Sequence, residues 1–241
     1  MSESEIAKYT KKIIETAKEE EKSPWKKIKD ITLEIVIIIF SVSLSIGFHS
    51  WSEERHEQSE VKSFLRGVQI DLKKDMAEMR QDIQAYKNQK KAFNYLGNIP
   101  TSKVASNDSL QVYAPYFYNF TGYGGNTGRY EGFKSSGKIA FIENDSLQNH
   151  ILDLYEEKIP LLTVSTDFYK NQKLKFSDYI TEHTIDYPNG NITKIMASSP
   201  IKNRSKIYLA SVNQIIANYE GCITRMESIV NEIESEFPQK K

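Results

Sequence analysis

The sequence predicts a mostly α-helical protein with one transmembrane helix and an antiparallel helical bundle that carries a small cap rich in aromatic residues and glycine. Three observations support this: one uninterrupted apolar run, three long stretches with helical spacing of apolar residues, and one short segment dense in aromatic side chains. The 241 residues include 32 Lys plus Arg and 32 Asp plus Glu. Zero net charge argues against a nucleic-acid partner, and the single cysteine excludes an intrachain disulfide.

The first 22 residues predict a cytoplasmic amphipathic helix. Ser2 and Glu5 have the spacing of a capping box, and Ile6 and Tyr9 share one side of the helix, opposite mixed lysine and glutamate. Such a short segment cannot hold a catalytic output domain.

Residues 23–51 predict a transmembrane helix with its flanks. The apolar run 31–48 holds one charged residue, Glu34, and is long enough to cross a hydrocarbon core of ~30 Å. Trp25 and Trp51 lie 26 residues apart, and a helix of that length spans ~39 Å. Because tryptophan favours the membrane interface, this spacing supports a membrane-spanning helix.

The distribution of lysine and arginine around the span predicts its orientation. Eight lysines precede the apolar run, whereas only Arg55, Lys62 and Arg66 fall within the next twenty residues. Loops rich in positive charge stay in the cytoplasm, so the N-terminus is expected inside and residues 52–241 outside. The long N-terminal region with acidic residues and the absence of a cleavage site indicate a signal anchor.

A line of polar residues follows one side of the span. Glu34, Ser41, Ser45 and Ser52 coincide within ~20° at 100° per residue. Lipid cannot satisfy such a line, so we expect these residues to contact another helix, in a homo-oligomer or a membrane-protein partner. For Glu34 two roles remain open: an ion-pathway carboxylate, or a carboxylate at the cytoplasmic rim that reaches Lys27 or water.

Two helical stretches beyond the span have apolar residues at spacings of three and four. The first ends at Gly97 and Pro100, and the last runs towards the C-terminus. The expected inward residues are Val61, Leu65, Val68, Leu72, Met76, Met79, Ile83 and Tyr86 in the first stretch, and Tyr208, Val212, Ile215, Tyr219, Cys222, Met226, Ile229 and Ile233 in the last.

A third helical stretch is predicted at 144–184, where Pro160 must kink or divide it. Its expected inward residues are Ile151, Leu154, Leu161, Phe168, Tyr179 and His183. Three long amphipathic helices with polar backs predict an antiparallel bundle over residues 52–241.

Residues 97–143 predict an irregular insertion that caps the far end of this bundle. Nine aromatic residues lie between Tyr113 and Phe141, around a glycine-rich centre. Aromatic side chains at a surface are suited to bind a ligand or a partner; the residues expected to form it are Tyr116, Tyr118, Tyr123 and Tyr130. A small satellite core would use the same residues.

No segment of the sequence carries a complete catalytic or metal-binding motif. Residues 132–139 approach a P-loop, but Ile139 stands where a serine or threonine must hold magnesium. Glu53 and His56 have the spacing of a bundle metal site, without the second such pair that these sites need. We therefore expect a protein that is not an enzyme and holds neither cofactor nor metal.

Two blocks of residues together carry a resemblance to a known family. The first comprises Glu34-Ile35-Val36, Trp51-x-Glu53-Glu54-Arg55, Phe64-Leu65 and Asp71-Leu72, and the second comprises Tyr130 to Gly137, Ile142-Glu143-Asn144 and Leu147. The chain resembles in them an uncharacterised family of bacterial single-span envelope membrane proteins. The chain departs from the family where only Tyr155 remains of a tyrosine pair, and where His-Ser precedes Trp51. The resemblance implies an inner-membrane protein with a helical periplasmic domain, and it implies no activity.

The expected function is an accessory or scaffold subunit of an envelope complex, which acts through its periplasmic helical domain. The alternative is a periplasmic ligand sensor that signals through the span to a separate cytoplasmic partner. A sensor needs a cytoplasmic output, and residues 1–30 could act only on a separate protein. This consideration favours the scaffold.

Overall fold

The computed structural model describes residues 8, 10–12, 24–100, 102–186 and 189–238. Within these residues all regular structure is helical and no strand occurs, which confirms the mostly α fold. The capping box predicted at Ser2 and Glu5 lies outside the described residues, as does most of the predicted N-terminal helix; Lys8 and residues 10–12 are helical.

The described helices fall into two compact units, Met1–Glu57 and Gln58–Lys241, and the first long helix contributes to both. A 3₁₀-helix covers Lys138–Phe141 and a π-helix covers Asp153–Lys158. The α-helices are α1 (Pro24–Gly97), α2 (Asn107–Tyr118), α3 (Gly128–Ser135), α4 (Asp145–Leu152), α5 (Ile159–His183), α6 (Ile192–Met196) and α7 (Ser199–Glu236).

In the first unit, α1 presents apolar side chains on all sides. Every large hydrophobic residue from Ile31 to Phe48 is between 47% and 65% exposed. An 18-residue window here has a mean hydropathy of 2.3 with none of its residues buried. A helix that exposes this much apolar surface is unfavourable in water. This helix is long and apolar enough to cross a membrane.

In the second unit, α1, α5 and α7 form the core of a helical bundle. All eight inward residues predicted on α1 are buried, and so are all eight predicted on α7. The regular spacing places these side chains on one face of each helix, which confirms both stripes. Helix α1 ends at Gly97 as predicted.

Helix α7 runs antiparallel to both of its neighbours. Along α1, Lys73 pairs with Glu234 and Arg80 with Glu227. Along the α4–α5 stretch, Arg225 pairs with Asp153, and Tyr208 donates to the Gln172 carbonyl. Helices α1 and α5 therefore run parallel to each other.

A parallel pair needs a connection that returns along the length of the bundle, and the segment 119–144 provides it. It passes along α1 towards earlier residues, so of the predicted insertion only residues 98–118, which include α2, lie near the C-terminal end of α1, where the cap was expected. The successive contacts are Asp82 with Thr121, Asp75 with Tyr123, Asp71 with Arg129, Glu60 with Lys138, and Gln58 with Phe141.

The inward face predicted for the third stretch is correct before Pro160, and after it only Tyr179 of the predicted residues packs, half-buried, against the core. Ile151 and Leu154 are buried, whereas Leu161, Phe168 and His183 are exposed. The buried residues are instead Leu162, Tyr169, Phe176 and Ile180. The π-helix adds one residue ahead of Pro160, with the Ile159 N–H donating to the Leu154 carbonyl, and this shifts the later register by one residue.

Candidate functional site

One column of α1 changes from apolar to polar in the middle of the bundle. Every seventh residue from Val61 to Leu96 is buried, and the third, fourth and fifth members of this column are polar. Seven residues make about two turns, so these side chains share one face. The column comprises Val61, Val68, Asp75, Asp82, Gln89 and Leu96. Buried polar groups need hydrogen-bond partners. Asp75, Asp82 and Gln89 therefore determine which residues pack against this face of α1.

Asp75 is fully buried and fixes the glycine-rich part of the connection. Its carboxylate accepts from the Tyr123 hydroxyl at 2.7 Å and from the Asn126 backbone N–H at 3.3 Å and side-chain amide at 2.5 Å. The Tyr123 ring lies so close to Gly125 that a Cβ there would approach its hydroxyl to 1.8 Å. Any larger residue at this position would therefore displace the Tyr123 ring, whose hydroxyl is bonded to Asp75. Burial is the main cause that raises the pKa of Tyr123, and the hydrogen bond to Asp75 raises this pKa further.

Asp82 joins the connection to α7. It accepts from the Thr121 hydroxyl at 2.6 Å and from the Tyr219 hydroxyl at 2.9 Å. Burial, followed by the charge of Asp82, raises the pKa of Tyr219. This phenol therefore remains a neutral donor, and one carboxylate holds α1, the connection and α7 together.

Gln89 meets a buried lysine from α5. Its side-chain oxygen accepts from the Tyr169 hydroxyl at 2.8 Å and from Lys173 Nζ at 3.1 Å. Lys173 is 1% exposed, and its ammonium also bonds to the carbonyls of Tyr116 and Asn119 at the end of α2. Burial lowers the pKa of Lys173 to about 7.

Aromatic rings complete the surroundings of Lys173. Its Nζ lies 5.9 Å from the centroid of the Phe93 ring, 5.3 Å from that of Phe120 and 5.7 Å from that of Tyr169. These distances are within the range of cation–π attraction. The lysine thus links α1, α2 and α5 through neutral groups.

A cavity of about 270 Å³ adjoins this polar column, and we name it the tyrosine cavity. The buried residues Tyr86 and Tyr169 form its inner part. The remaining lining residues come from one stretch of the connection and one side of α5: Phe120, Thr121, Gly122 and Tyr123, with Thr163, Thr166, Asp167 and Lys170. Ligand pockets are typically concave, aromatic and provided with a few polar groups, so this cavity is the candidate binding site.

A second set of contacts fixes the connection nearer residue 58. The Phe64 and Phe133 rings stack with centroids 3.9 Å apart. Arg129 pairs with Asp71 at 2.8 Å and crosses α1 over Gly67, where a Cβ would lie 2.3 Å from the guanidinium carbon. In the P-loop-like segment, Lys138 pairs with Glu60 at 2.7 Å. These contacts give that segment a structural role.

The four predicted surface tyrosines occupy different environments. Tyr118 is 42% exposed, whereas Tyr116 is half-buried against the core. Tyr123 lines the tyrosine cavity. Tyr130 is fully buried, stacks on Tyr155 with centroids 4.3 Å apart and donates to Glu156. Tyr130 therefore belongs to the core and not to a surface.

The polar residues of the span, Glu34, Ser41, Ser45 and Ser52, are all exposed on α1. The Ser41 hydroxyl donates to the Ile37 carbonyl at 2.7 Å within its own helix. This bond satisfies its proton without a partner helix, while its oxygen can still accept. The predicted helix contact through this line stays a prediction.

The sequence interpretation missed Asp75, Asp82, Gln89 and Lys173. The heptad that starts at Val61 and Val68 passes through the first three, so continuing it would have found them. Lys173 was hidden because the π-helix changes the register of α5. Within the described residues, no group of three or more His, Cys, Asp or Glu is arranged to hold a metal ion.

A model of the DUF6090 family, a family of unknown function, matches residues 34–218. The chain belongs to the DUF6090 family. No curated protein and no solved structure matches the chain. The DUF6090 match begins at Glu34 and covers Asp75, Asp82, Gln89, Lys173 and the whole tyrosine cavity. The uncharacterised nature of the family, which the resemblance implied, is thereby confirmed.

Proposed function

We propose that this DUF6090 protein is a single-pass membrane protein that acts as an accessory or scaffold subunit of a bacterial envelope complex. The exposed apolar segment of α1 supports the membrane anchor. The excess of lysine before this segment supports a cytoplasmic N-terminus and a periplasmic bundle. In this assignment residues 1–22 are cytoplasmic, 23–51 span the inner membrane and 52–241 are periplasmic.

One observation carries the scaffold function: α5 turns an apolar stripe outwards. Leu161, Val164 and Phe168 are 58%, 67% and 53% exposed, respectively. They follow the i, i+3, i+7 spacing by which one helix recognises another, and an exposed stripe of this kind marks an interaction surface. We assign it to an amphipathic helix of another envelope protein. The polar line of the span would contact a second copy or a membrane-protein partner.

Photo-crosslinking in native membranes tests this function. With the crosslinking residue at Val164, we expect one discrete product larger than the chain, and with it at the exposed Glu220 of α7 we expect none. Phe168→Glu should abolish the Val164 product, because it places a charge in the interface. Absence of a product at Val164, or equal labelling at Glu220, would contradict the scaffold.

The same experiment tests the span. A crosslinking residue at Ser45 should give a product of twice the mass of the chain, or one that contains a membrane protein. Val36, on the opposite side of the helix, serves as the control. Labelling at Val36 but not at Ser45 would exclude the proposed face.

The second candidate function is a periplasmic ligand sensor, and the tyrosine cavity favours it. The cavity is lined by aromatic rings and by unpaired charged side chains, a composition suited to a small ligand. In this function, occupancy would be passed through the span to a separate cytoplasmic partner.

A further inference from the structure

The hydroxyl groups of the tyrosine cavity all point their protons away from it. Six hydroxyls line the cavity, and each donates to another oxygen of the protein. A hydroxyl that has donated its proton can still accept hydrogen bonds, so these six hydroxyls accept and do not donate. The donations are Tyr86 to the Thr121 carbonyl, Thr121 to Asp82, Tyr123 to Asp75, Thr163 to the Ile159 carbonyl, Thr166 to the Leu162 carbonyl, and Tyr169 to Gln89.

The charged groups at the cavity balance one another. Asp167 and Lys170 are exposed lining residues, and neither forms a hydrogen bond or an ion pair within the part of the chain that the structure describes. Lys170 disfavours a cationic ligand, while Asp167 and the acceptor-rich walls disfavour an anionic one. The cavity therefore suits a neutral ligand that supplies hydrogen-bond donors.

Aromatic rings define the rest of the ligand. Tyr86, Phe120, Tyr123 and Tyr169 all line the cavity, and Phe120 is 46% exposed. Rings of this kind pack against apolar C–H faces. The volume of about 270 Å³ lies just below the ~300–1,000 Å³ typical of ligand pockets, so it admits one small ring.

We propose that the tyrosine cavity binds one neutral saccharide ring. A saccharide carries many hydroxyl donors for the acceptor walls and a C–H face for Phe120. Asp167 would accept from its hydroxyls, and Lys170 would donate to its oxygens. This inference rests on the ligand-binding alternative proposed above and is independent of the scaffold function.

Saturation-transfer NMR on the full chain tests the site. The protein is kept in a detergent without a sugar headgroup, because maltoside or glucoside detergents would occupy the site. The probes are D-glucose, D-galactose, D-mannose and N-acetyl-D-glucosamine, with choline and acetate as the cationic and anionic comparisons. We expect saturable binding of at least one saccharide. Binding of none, or of choline or acetate in their place, would overturn the proposal.

Variants with matched controls assign the binding to this cavity. Asp167→Ala and Phe120→Ala should each weaken saccharide binding about tenfold or more, as expected when a charged hydrogen bond or an aromatic contact is lost. Asp178→Ala and Leu174→Ala remove an exposed aspartate and an exposed apolar residue from α5 outside the cavity, and binding should stay within about twofold. Equal effects of the two pairs would overturn the site, and circular dichroism verifies that each variant is folded.

The outcome separates the site from the sensor function. A chain that binds a saccharide, yet crosslinks to no cytoplasmic partner through residues 1–30, retains the site and refutes the sensor. Absence of saccharide binding would refute the proposed site. If a cytoplasmic partner were still crosslinked in that case, the sensor function would be retained.

Discussion

Lys173 lies in an environment that the chemistry of lysine disfavours. A lysine side chain is seldom fully buried without an acidic partner, yet the described contacts of its ammonium are an amide oxygen, two backbone carbonyls and three aromatic rings. The carbonyls belong to the end of α2, where the helix dipole favours a positive charge. Burial nevertheless lowers its pKa to about 7.

This lowered pKa predicts that stability depends on pH. The unfolded lysine keeps its proton up to ~10.4, whereas the folded one loses it near pH 7. The unfolded chain therefore binds more protons between these values, and the free energy of unfolding should rise from pH 7 to pH 9. Lys173→Met should remove most of this rise, as followed by thermal unfolding in detergent at each pH.

Lys170→Met is the matched control, since Lys170 is an exposed lysine of the same helix. It should keep the pH dependence of the original chain. A wild-type stability that is flat from pH 7 to pH 9, or one that changes equally in both variants, would contradict this account of Lys173.

At the scale of the element, the π-helix decides which face of α5 is buried. A π turn acts as one inserted residue that leaves the helix on both sides facing the core. It immediately precedes Pro160, which cannot donate a backbone hydrogen bond to the carbonyl four residues earlier. The π turn and the proline therefore occur at the same place in the chain. The register shift that they introduce is what turns the apolar stripe of α5 outwards.

This interpretation predicts that one deletion is tolerated and another is not. Deleting the exposed Glu157 together with Pro160→Ala should turn the π turn into an α turn and keep both flanking faces inward. We expect the free energy of unfolding to stay within about 2 kcal/mol of the value for Pro160→Ala alone. Chemical denaturation followed by circular dichroism measures it.

Deleting the exposed Asn171 in the same background should instead rotate every later residue of α5 by ~100°. Phe176 and Ile180 would leave the core, and each such loss destabilises by ~2–5 kcal/mol. The domain should then lose its cooperative transition. If the two deletions had the same effect, the π-helix would not set the register.

At the scale of the whole molecule, α1 belongs to both units and is the helix by which the bundle is joined to the apolar segment. Its first part is exposed and apolar, and its second part supplies both an apolar stripe and the polar column of the core. Because α1 is continuous, the orientation of its apolar part decides on which side of the membrane the bundle lies. The proposed orientation rests on the charges that flank this apolar part.

Reporter fusions test this orientation. An enzyme that is active only outside the cytoplasm should be active when fused after Lys241 and inactive when fused at Met1. Replacing Lys26, Lys27 and Lys29 by glutamine weakens the charge asymmetry and should lower the activity of the C-terminal fusion. The opposite pattern of activities would place the bundle in the cytoplasm and refute the proposed location.

The sequence by itself determined the helical class, the apolar segment, and the inward stripes of α1 and α7. These features depend on local periodicity, which a helix converts directly into a face. Only the tertiary structure decided that α1 and α5 run parallel, that the connection returns along α1, that Asp75 and Asp82 hold it there, and that Gln89 meets α5. Such contacts join residues that are distant in sequence. A buried carboxylate is stable only when hydrogen-bond donors from other parts of the chain reach it. The tyrosine cavity arises from these long-range contacts, so no periodicity in the sequence could have located it.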